Sequence, residues 1–352
     1  MTNRHLPAFP LLLCLAISLI SCSDKPPEQQ DIQKLIAEME QRTIATTTTD
    51  KRGSLIPRYN QPKTIACLTG EFTVSDNLPD NLRHGLFAEP ASYPVTARFA
   101  NASKWDDSEK DIRGMSIRVS NVPGETIWGD AGKQDFLLNS YPALFVATPE
   151  DFLGFMQARQ AGGTFSLIKF FLNPFDPHLK SLLTVLKARD KHRSPLDIQY
   201  WSTVPSALDG GILAGDSIPD TTTAVKYSLI PCSTYRTDDV VNPGENQLRS
   251  ALMAHLEQAP ACFEFAVQRQ SNPDTMPIED ASVIWDEDES PFQTVATLRF
   301  NKQAADDVAA LASCESSQFN PWQSLAAHTP LGRMNAVRQQ VYAKGAQHRA
   351  NP

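Results

Sequence analysis

Histidine and cysteine are scarce in this sequence of 352 residues, and their scarcity excludes several kinds of site. There are 7 histidines, and none lies between His5 and His84. The 6 cysteines include no pair at CxxC spacing, so the usual sequence pattern of a zinc site is absent. The sequence also has no internal repeat and no low-complexity tract beyond a short threonine run, which argues against a repeat protein.

Positive charge is in short supply as well. The chain has 32 Lys and Arg against 40 Asp and Glu, which gives a formal net charge of −8. A nucleic-acid partner would require a basic face, so this acidity argues against one. The length suffices to bury a large core, and it allows a single large domain built on a barrel.

A targeting segment is expected at the start of the chain. The apolar run at residues 11–20 follows Arg4 and is short for a membrane-spanning helix, which needs ~20 apolar residues. It leads into LISC at residues 19–22, which has the form of a bacterial lipobox. We therefore expect a lipoprotein signal peptide over residues 1–21 and a lipid on the thiol of Cys22. The alternatives are an ordinary signal peptide and an N-terminal membrane helix.

A protein anchored in this way would face the periplasm from the bacterial cell envelope. Ser23 stands where an aspartate would favour retention in the inner membrane, so the outer membrane is the expected location. The other cysteines would then lie in an oxidising compartment; they are Cys67, Cys232, Cys262 and Cys314. They can form two disulfides in three pairings, or they can remain buried free thiols.

Apolar periodicity predicts an α+β chain. A helix is expected over residues 31–43, begun by Asp31, whereas the threonine run at 46–49 predicts a loop. Further helices are predicted at 150–160, 247–258 and 332–348, with two helical pieces within 165–189. Strands are predicted at 64–74, 93–100, 114–120, 224–230, 263–268 and 295–300. Because crossover helices do not regularly separate these strands, they favour a curved antiparallel barrel.

A series of short motifs resembles, in order and spacing, the haem-binding core of the catalase superfamily. The motifs are RYNQPK at 58–63, GEFTV at 70–74, VTARF at 95–99, DIRGM at 111–115 and NSYP at 139–142. The resemblance continues through 278–300 and FNP at 319–321 as far as residue 349. It implies a catalase-like antiparallel β-barrel with surrounding helices and a C-terminal ligand helix. Residues 22–52 would form a tether and an N-terminal helix, and residues 53–352 the haem-binding domain.

The resemblance implies haem (iron protoporphyrin) as the cofactor and Tyr342 as the axial ligand of its iron. Arg338 lies four residues earlier, one turn away on the same helix face. A guanidinium beside a phenol that meets ferric iron favours the phenolate, an electron-donating ligand. Away from this context, such a pair is common on solvated helices. The family pattern is incomplete here, since Gln340 replaces a phenylalanine and Lys344-Gly345 replaces Asp-Thr.

Further roles are implied for the haem propionates and the haem ring. Buried carboxylates need cations or hydrogen-bond donors, and the guanidinium group suits them. The resemblance assigns Arg58, Arg98 and Arg349 to the propionates, and it assigns Phe145 and Phe152 to packing on the ring. Residue type alone is equally consistent with a solvated loop charge at Arg58, a strand-edge ion pair at Arg98 and ordinary core phenylalanines.

The distal side of the implied pocket departs from the family. Gln61 occupies the position of the histidine that handles peroxide protons, and glutamine cannot shuttle a proton near neutral pH. A serine expected after the Arg-Phe pair is Ala100. Asn139, by contrast, matches the distal asparagine. We expect Asn139 and Gln61 to line the distal face and to carry any catalysis, with His84 as a weak alternative source of a base.

Three hypotheses follow. The first is a lipid-anchored haem protein that reacts with hydrogen peroxide or organic hydroperoxides as a peroxidase-like oxidoreductase, with weak or no true catalase activity. The second is a non-catalytic haem-binding protein for storage or sensing, which the loss of the histidine favours. The third is a barrel that has lost haem and serves as an interaction module of the envelope. A homo-oligomer is compatible with all three.

Overall fold

The computed structural model describes residues 27–174, 177–209, 223–237 and 243–351. The α-helices in these ranges are α1 (Pro27–Thr49), α2 (Pro149–Ala161), α3 (Gly163–Phe171), α4 (Leu179–Ala188), α5 (Gln247–Gln258), α6 (Val308–Ser316) and α7 (Gly332–Ala350). The strands are β1 (Lys63–Val74), β2 (Ser92–Asn101), β3 (Arg113–Ser120), β4 (Lys133–Asn139), β5 (Tyr200–Trp201), β6 (Ser206–Ala207), β7 (Ala224–Pro231), β8 (Ala261–Arg269) and β9 (Gln293–Phe300).

The strands form a closed antiparallel barrel, as predicted. Their order is β5-β4-β3-β2-β1-β9-β8-β7, and β5 pairs again with β7 to complete the ring. The short strand β6 adds to the other end of β7. The predicted α+β fold with an antiparallel barrel and surrounding helices is therefore confirmed.

Aromatic side chains fill the inside of the barrel. The ring of Phe265 on β8 lies 4.8 Å from that of Phe136 on β4 and 5.1 Å from that of Phe72 on β1, all centroid to centroid. Phe99 on β2 and Phe300 on β9 are also fully buried in the same cluster. Side chains alternate along a strand, so these residues point inward and their neighbours point outward. The barrel interior is a packed core, and the outer surface of the barrel is left to form sites.

A layer of helices covers one side of the barrel. Apolar residues of α1, α2 and α7 form one buried cluster, which includes Met39, Met156, Val337 and Val341. This cluster also holds Tyr59 from the segment before β1. Burying the apolar faces of three helices together gives the layer its stability.

Helix α1 is longer than its sequence predicted, and the predicted loop at 46–49 is wrong. The hydroxyls of Thr47, Thr48 and Thr49 donate to the carbonyls four residues before them at 2.8–3.0 Å. Such back-bonding satisfies the hydroxyls within a helix. Thr46 and Thr47 are also buried, which supports the helix through tertiary packing. Since α1 begins at Pro27, the prediction that Asp31 begins the helix is wrong too.

The other predicted helices and strands are confirmed within a few residues, but β4, α6 and the two-residue strands β5 and β6 were missed. The charged start of β4 hides its apolar alternation. The sequence did contain a signal for α6, because Asp307, directly before the helix, is a residue type favoured as an N-cap. In the structure its side chain accepts a hydrogen bond from the Ala310 amide at 2.6 Å. No helix in the described part of the chain is both long and apolar enough to span a membrane.

Two disulfides form, so the alternative of free thiols is wrong. Cys67 on β1 joins Cys314 on α6, and these cysteines are 247 residues apart in sequence. Cys232, just after β7, joins Cys262 on β8. The first disulfide fixes α6 against the outer surface of the barrel.

Candidate functional site

A cavity of about 250 Å³ lies between the outer surface of the barrel and the helical layer. Every residue predicted to hold the cofactor or act in catalysis lies on its wall: Arg58, Gln61, Arg98, Asn139, Phe145, Phe152, Arg338, Tyr342 and Arg349. Their individual roles stay predictions. Cys22, the predicted lipidation site, lies outside the described residues. The described ranges contain no group of histidine, cysteine or acidic side chains arranged to hold a bare metal ion.

The barrel side of the cavity is a row of outward-facing side chains. Arg98 on β2 pairs with Ser116 on β3, and Ser116 pairs with Leu137 on β4. On the other side of Arg98, the pairing partner is Cys67 on β1. Antiparallel register therefore places a buried cation between a disulfide and the apolar part of the cavity wall.

On the helical side, α7 presents Arg338 and Tyr342 to the cavity. The Arg338 Nε lies 3.4 Å from the Tyr342 hydroxyl, and the guanidinium carbon lies 5.2 Å from the centre of the tyrosine ring. Arg338 Nη1 donates to the Asn335 side-chain oxygen at 2.9 Å. The Asn335 amide in turn donates to the carbonyls of Pro205 and Leu331 at 2.9 Å. Asn335, which the sequence did not single out, therefore orients the arginine beside the phenol.

The predicted propionate arginines surround a carboxylate that was not predicted, that of Glu315. Arg58 donates to it at 2.6 Å, and Thr64 also donates to it. Arg98 is 1% exposed; it donates to the Thr64 hydroxyl and the Gln61 carbonyl at 2.8 Å each, and its guanidinium lies 3.8 Å from Glu315. Glu315 follows the disulfide residue Cys314, so the disulfide holds it in place. A single glutamate on an unpredicted helix gave no sequence signal.

Three guanidinium groups and one carboxylate leave this cluster with an excess of two positive charges. Burial and then Arg58 lower the pKa of Arg349 to about 9, and its buried Nε has no hydrogen-bond partner among the described residues. Burial and the neighbouring Arg58 also lower the pKa of Arg98. Burial would raise the pKa of Glu315, but Arg98 and Arg58 outweigh it and hold that pKa below its ordinary value. The cluster is therefore short of anions.

Replacing Glu315 by glutamine should make the protein less stable at neutral pH but not in acid. The lowered pKa of Glu315 means that its ionised form stabilises the fold above the unfolded-state value near ~4.3, and that this contribution is lost as pH falls through the folded-state value. We expect Glu315→Gln to lower the free energy of unfolding at pH 7 by about 1.5–3 kcal/mol, as for hydrogen bonds to charged groups.

Urea unfolding of parent and variant across this pH range measures the difference, which should shrink below pH ~4. Glu287→Gln, at an exposed acidic position, is the matched control and should change little. A Glu315→Gln effect of the same size in acid as at neutral pH would contradict the assignment.

On the predicted distal side, Gln61 and Asn139 contact each other. The Gln61 side-chain amide donates to the Asn139 side-chain oxygen at 3.0 Å. Gln61 has a φ of +59°. Two hydrogen bonds hold this backbone: the Gln61 amide donates to the Ala102 carbonyl, and the Gln61 carbonyl accepts from the Arg98 guanidinium. Its side chain lies over Gly114, where a Cβ would come within 2.0 Å of the Gln61 amide nitrogen. The glycine of the DIRGM motif is thus required for this close approach.

No histidine lies on the cavity wall within the described ranges. His84 precedes a short turn elsewhere on the barrel, so it does not replace the missing base. Tyr59 is on the wall instead, and its buried hydroxyl has no hydrogen-bond partner among the described residues. Burial raises the pKa of this phenol, so it is a neutral donor at physiological pH. Sequence reasoning missed Tyr59, although it lies inside the RYNQPK motif.

The remaining wall is apolar. Phe145 and Phe152 lie with ring centres 6.1 Å apart, and the Phe152 ring lies 6.5 Å from that of Tyr59. Side chains from all three covering helices complete this surface; they are Met39, Met156, Met334, Val337 and Val341. The cavity therefore joins a charged end, rich in arginine, to a broad apolar surface that carries one phenol beside a guanidinium.

The similarity of this chain to known proteins is one of fold. No family model and no curated protein matches the sequence. Among solved structures, a fungal catalase matches 88% of this chain and 61% of its own, at a TM-score of 0.64 and 14% identity. A bacterial catalase matches 99% of this chain and 68% of its own, at a TM-score of 0.62 and 15% identity. Catalase A from Saccharomyces cerevisiae matches 99% and 67%, at a TM-score of 0.63 and 14% identity.

The chain spans between 61% and 68% of the length of these catalases. The chain has a catalase-like fold.

Proposed function

We propose that this protein binds haem in the cavity beside the barrel and reacts with peroxides or organic hydroperoxides as a peroxidase-like oxidoreductase. The observation that carries the proposal is the joint placement of Tyr342, an anion-deficient arginine cluster and a broad apolar wall in one cavity. Buried cations without anions are costly. The cavity therefore suits a largely apolar ligand that brings negative charge.

The residues present fit haem in charge and chemistry. Its two propionates would balance the two excess positive charges, with the unpaired Arg349 Nε as one donor. Tyr342 would ligate the iron, with the Arg338 guanidinium held beside its oxygen. Phe145 and Phe152 would cover the ring. When bound, haem iron would supply the redox chemistry of the peroxide reaction.

The distal residues favour peroxidase-like chemistry over dismutation. The Gln61 amide and the Asn139 side chain can position a peroxide by hydrogen bonds, but neither can take up and return a proton near neutral pH. Loss of a general acid–base typically costs ~10²–10⁴ in rate. Hydroperoxides with activated leaving groups need less proton transfer, so they suit this site better than hydrogen peroxide.

Gln61→His should restore part of the missing step. Histidine is among the residues that tolerate a positive φ, so it can adopt the +59° backbone of Gln61. We expect oxygen evolution from hydrogen peroxide to rise by about 10²-fold or more. Gln61→Asn is the control, because asparagine tolerates the same backbone but moves no proton. Equal oxygen evolution from both variants would contradict the distal assignment.

The proposal is tested with the purified, haem-reconstituted full-length protein. A visible spectrum of phenolate-ligated ferric haem supports it, together with turnover of a peroxyacid, whose carboxylate leaving group is already activated, or of cumene hydroperoxide. The same spectrum without turnover favours a second function, haem storage or sensing, which the absence of a histidine on the described wall supports. Absence of haem uptake removes both and leaves an interaction module.

We further propose that the protein works in the bacterial cell envelope, anchored by a lipid on Cys22, with the outer membrane as its location. The lipobox-like LISC at residues 19–22 supports this. Incorporation of labelled fatty acid in cells should be lost in a Cys22→Ala variant. Incorporation that persists would exclude Cys22 as the lipidation site.

A further inference from the structure

Helices α3 and α4 expose an apolar surface that no other part of the described chain covers. Six of the ten large apolar side chains that are exposed in the described residues lie here. We call this set the α3–α4 face: Phe165, Ile168, Leu172, Leu179, Leu183 and Leu186, which are 47–79% exposed. Large apolar patches on a protein surface mark binding sites for proteins or membranes.

The α3–α4 face is held firmly on the body of the protein. Phe170, on the inner side of α3, lies 6.0 Å from Phe155 of α2, ring centre to ring centre. His178, which precedes α4, stacks on Phe170 at 4.3 Å and lies 3.4 Å from Asp151 of α2. The inner sides of the two helices are thus anchored, and their outer sides are left apolar.

Positive charge accompanies the α3–α4 face, although the whole chain has a net charge of −8. Between residues 162 and 189 the basic residues are Lys169, Lys180, Lys187 and Arg189, and the only acid is Asp176, which lies outside the described residues. Helices with an apolar side and flanking lysines lie in the headgroup region of membranes, and anionic lipids attract their basic residues.

The start of α1, which follows the expected lipidation site in sequence, lies near the same part of the molecule. Ile32 and Leu35 of α1 share an apolar cluster with Phe152 of α2. Phe152 follows Asp151, the residue of α2 that His178 contacts. Cys22 precedes Pro27, where α1 begins, by five residues, which reach at most about 18 Å. A lipid on Cys22 would hold this end of the protein at the bilayer.

We propose that the α3–α4 face docks on the surface of an anionic lipid bilayer. Its apolar side chains enter the headgroup region and its lysines contact the anionic headgroups. A second copy of the chain is the less favourable occupant, because a symmetric contact would bring two basic faces together. The inference is separate from haem binding, and the docked bilayer would fix the orientation of the protein on the membrane.

Tryptophan fluorescence in the full-length protein tests the docking. Phe165 and Val308 are 79% and 80% exposed, so Phe165→Trp and Val308→Trp report from equally exposed positions on different helices. Both variants are bound to vesicles of phosphatidylethanolamine and phosphatidylglycerol whose acyl chains carry bromine either near the carbonyl or near the methyl end. Emission is compared with that of the parent protein to subtract its native tryptophans.

Docking predicts quenching of Phe165→Trp, stronger for bromine near the carbonyl end because such helices penetrate only ~5–10 Å. Val308→Trp should not be quenched, even when a lipid on Cys22 tethers the protein. When added to the Phe165→Trp variant, Lys180→Glu and Lys187→Glu should each weaken binding to the vesicles about fivefold or more. The reason is that each basic side chain near an anionic surface contributes ~1 kcal/mol to binding. Lys302→Glu, at another exposed lysine, is the charge control.

Two results would overturn the proposal. One is Phe165→Trp emission that the vesicles leave unchanged. The other is a blue shift of the Phe165→Trp emission that grows with protein concentration in the absence of vesicles. That result would show that the α3–α4 face binds a second copy of the chain.

Discussion

Tyr342→Phe should abolish the phenolate-to-iron absorption of the haem-reconstituted protein and weaken haem binding by about 100-fold or more. Loss of a residue behind a metal ligand already costs ~10–100-fold in affinity, and this variant removes the proposed ligand oxygen itself. The fold should persist, because the phenylalanine ring keeps its place beside Arg338, whose guanidinium is also held by Asn335. The measurements are a haem titration followed by absorbance and a thermal unfolding curve of the haem-free protein.

Two further variants make this result specific. Tyr235→Phe removes a phenol from a residue away from the cavity that is 39% exposed, so it should leave the spectrum unchanged. Arg338→Leu keeps the ligand but removes its guanidinium neighbour, so the absorption should shift rather than vanish. An unaltered spectrum in Tyr342→Phe would show that the iron is bound elsewhere or not at all.

Removing the disulfide between Cys67 and Cys314 should lower stability and haem affinity together. The loop it closes is very long, 247 residues in sequence, and loss of a native disulfide costs about 2–5 kcal/mol. The Cys67→Ser, Cys314→Ser double variant also releases α6, which carries Glu315 into the arginine cluster. We therefore expect the charged end of the cavity to lose its fixed geometry, with a measurable drop in haem affinity.

The second disulfide provides a matched control. Cys232 and Cys262 are 30 residues apart in sequence and neither lies on the cavity wall. Their double serine variant should lose less stability, since the stabilisation grows with the logarithm of loop length, and it should keep its haem affinity. Equal losses of haem affinity in both double variants would mean that the effect is general destabilisation.

Local patterns predicted most of the fold. Strands β1, β2 and β3 have strong alternation, and their outward positions place Arg98 and Ser116 on the cavity side. The predicted site residues meet in one cavity because α2 and α7, which carry some of them, pack beside the strands β2 and β4, which carry others. The length of α1 was underestimated because the low helix propensity of threonine is a weak guide once tertiary packing buries the threonine side chains.

The residues that sequence reasoning missed depend on long-range contacts. Glu315 acquires its role only because a disulfide brings α6 to β1. Asn335 is oriented in part by the carbonyl of Pro205, which lies 130 residues away in sequence. The positive φ of Gln61 depends on Ala102, Arg98 and the missing side chain of Gly114. None of these has a periodic or compositional signature.

The aromatic filling of the barrel determines which side of the cavity can yield. Phe72, Phe136 and Phe265 interlock behind the strands, and close-packed interiors resist compression. The strands therefore form a rigid wall that does not move outward when a large ligand enters the cavity. Admission and release fall to the three covering helices, so the dwell time of any occupant is governed by how readily α1, α2 and α7 lift from the barrel.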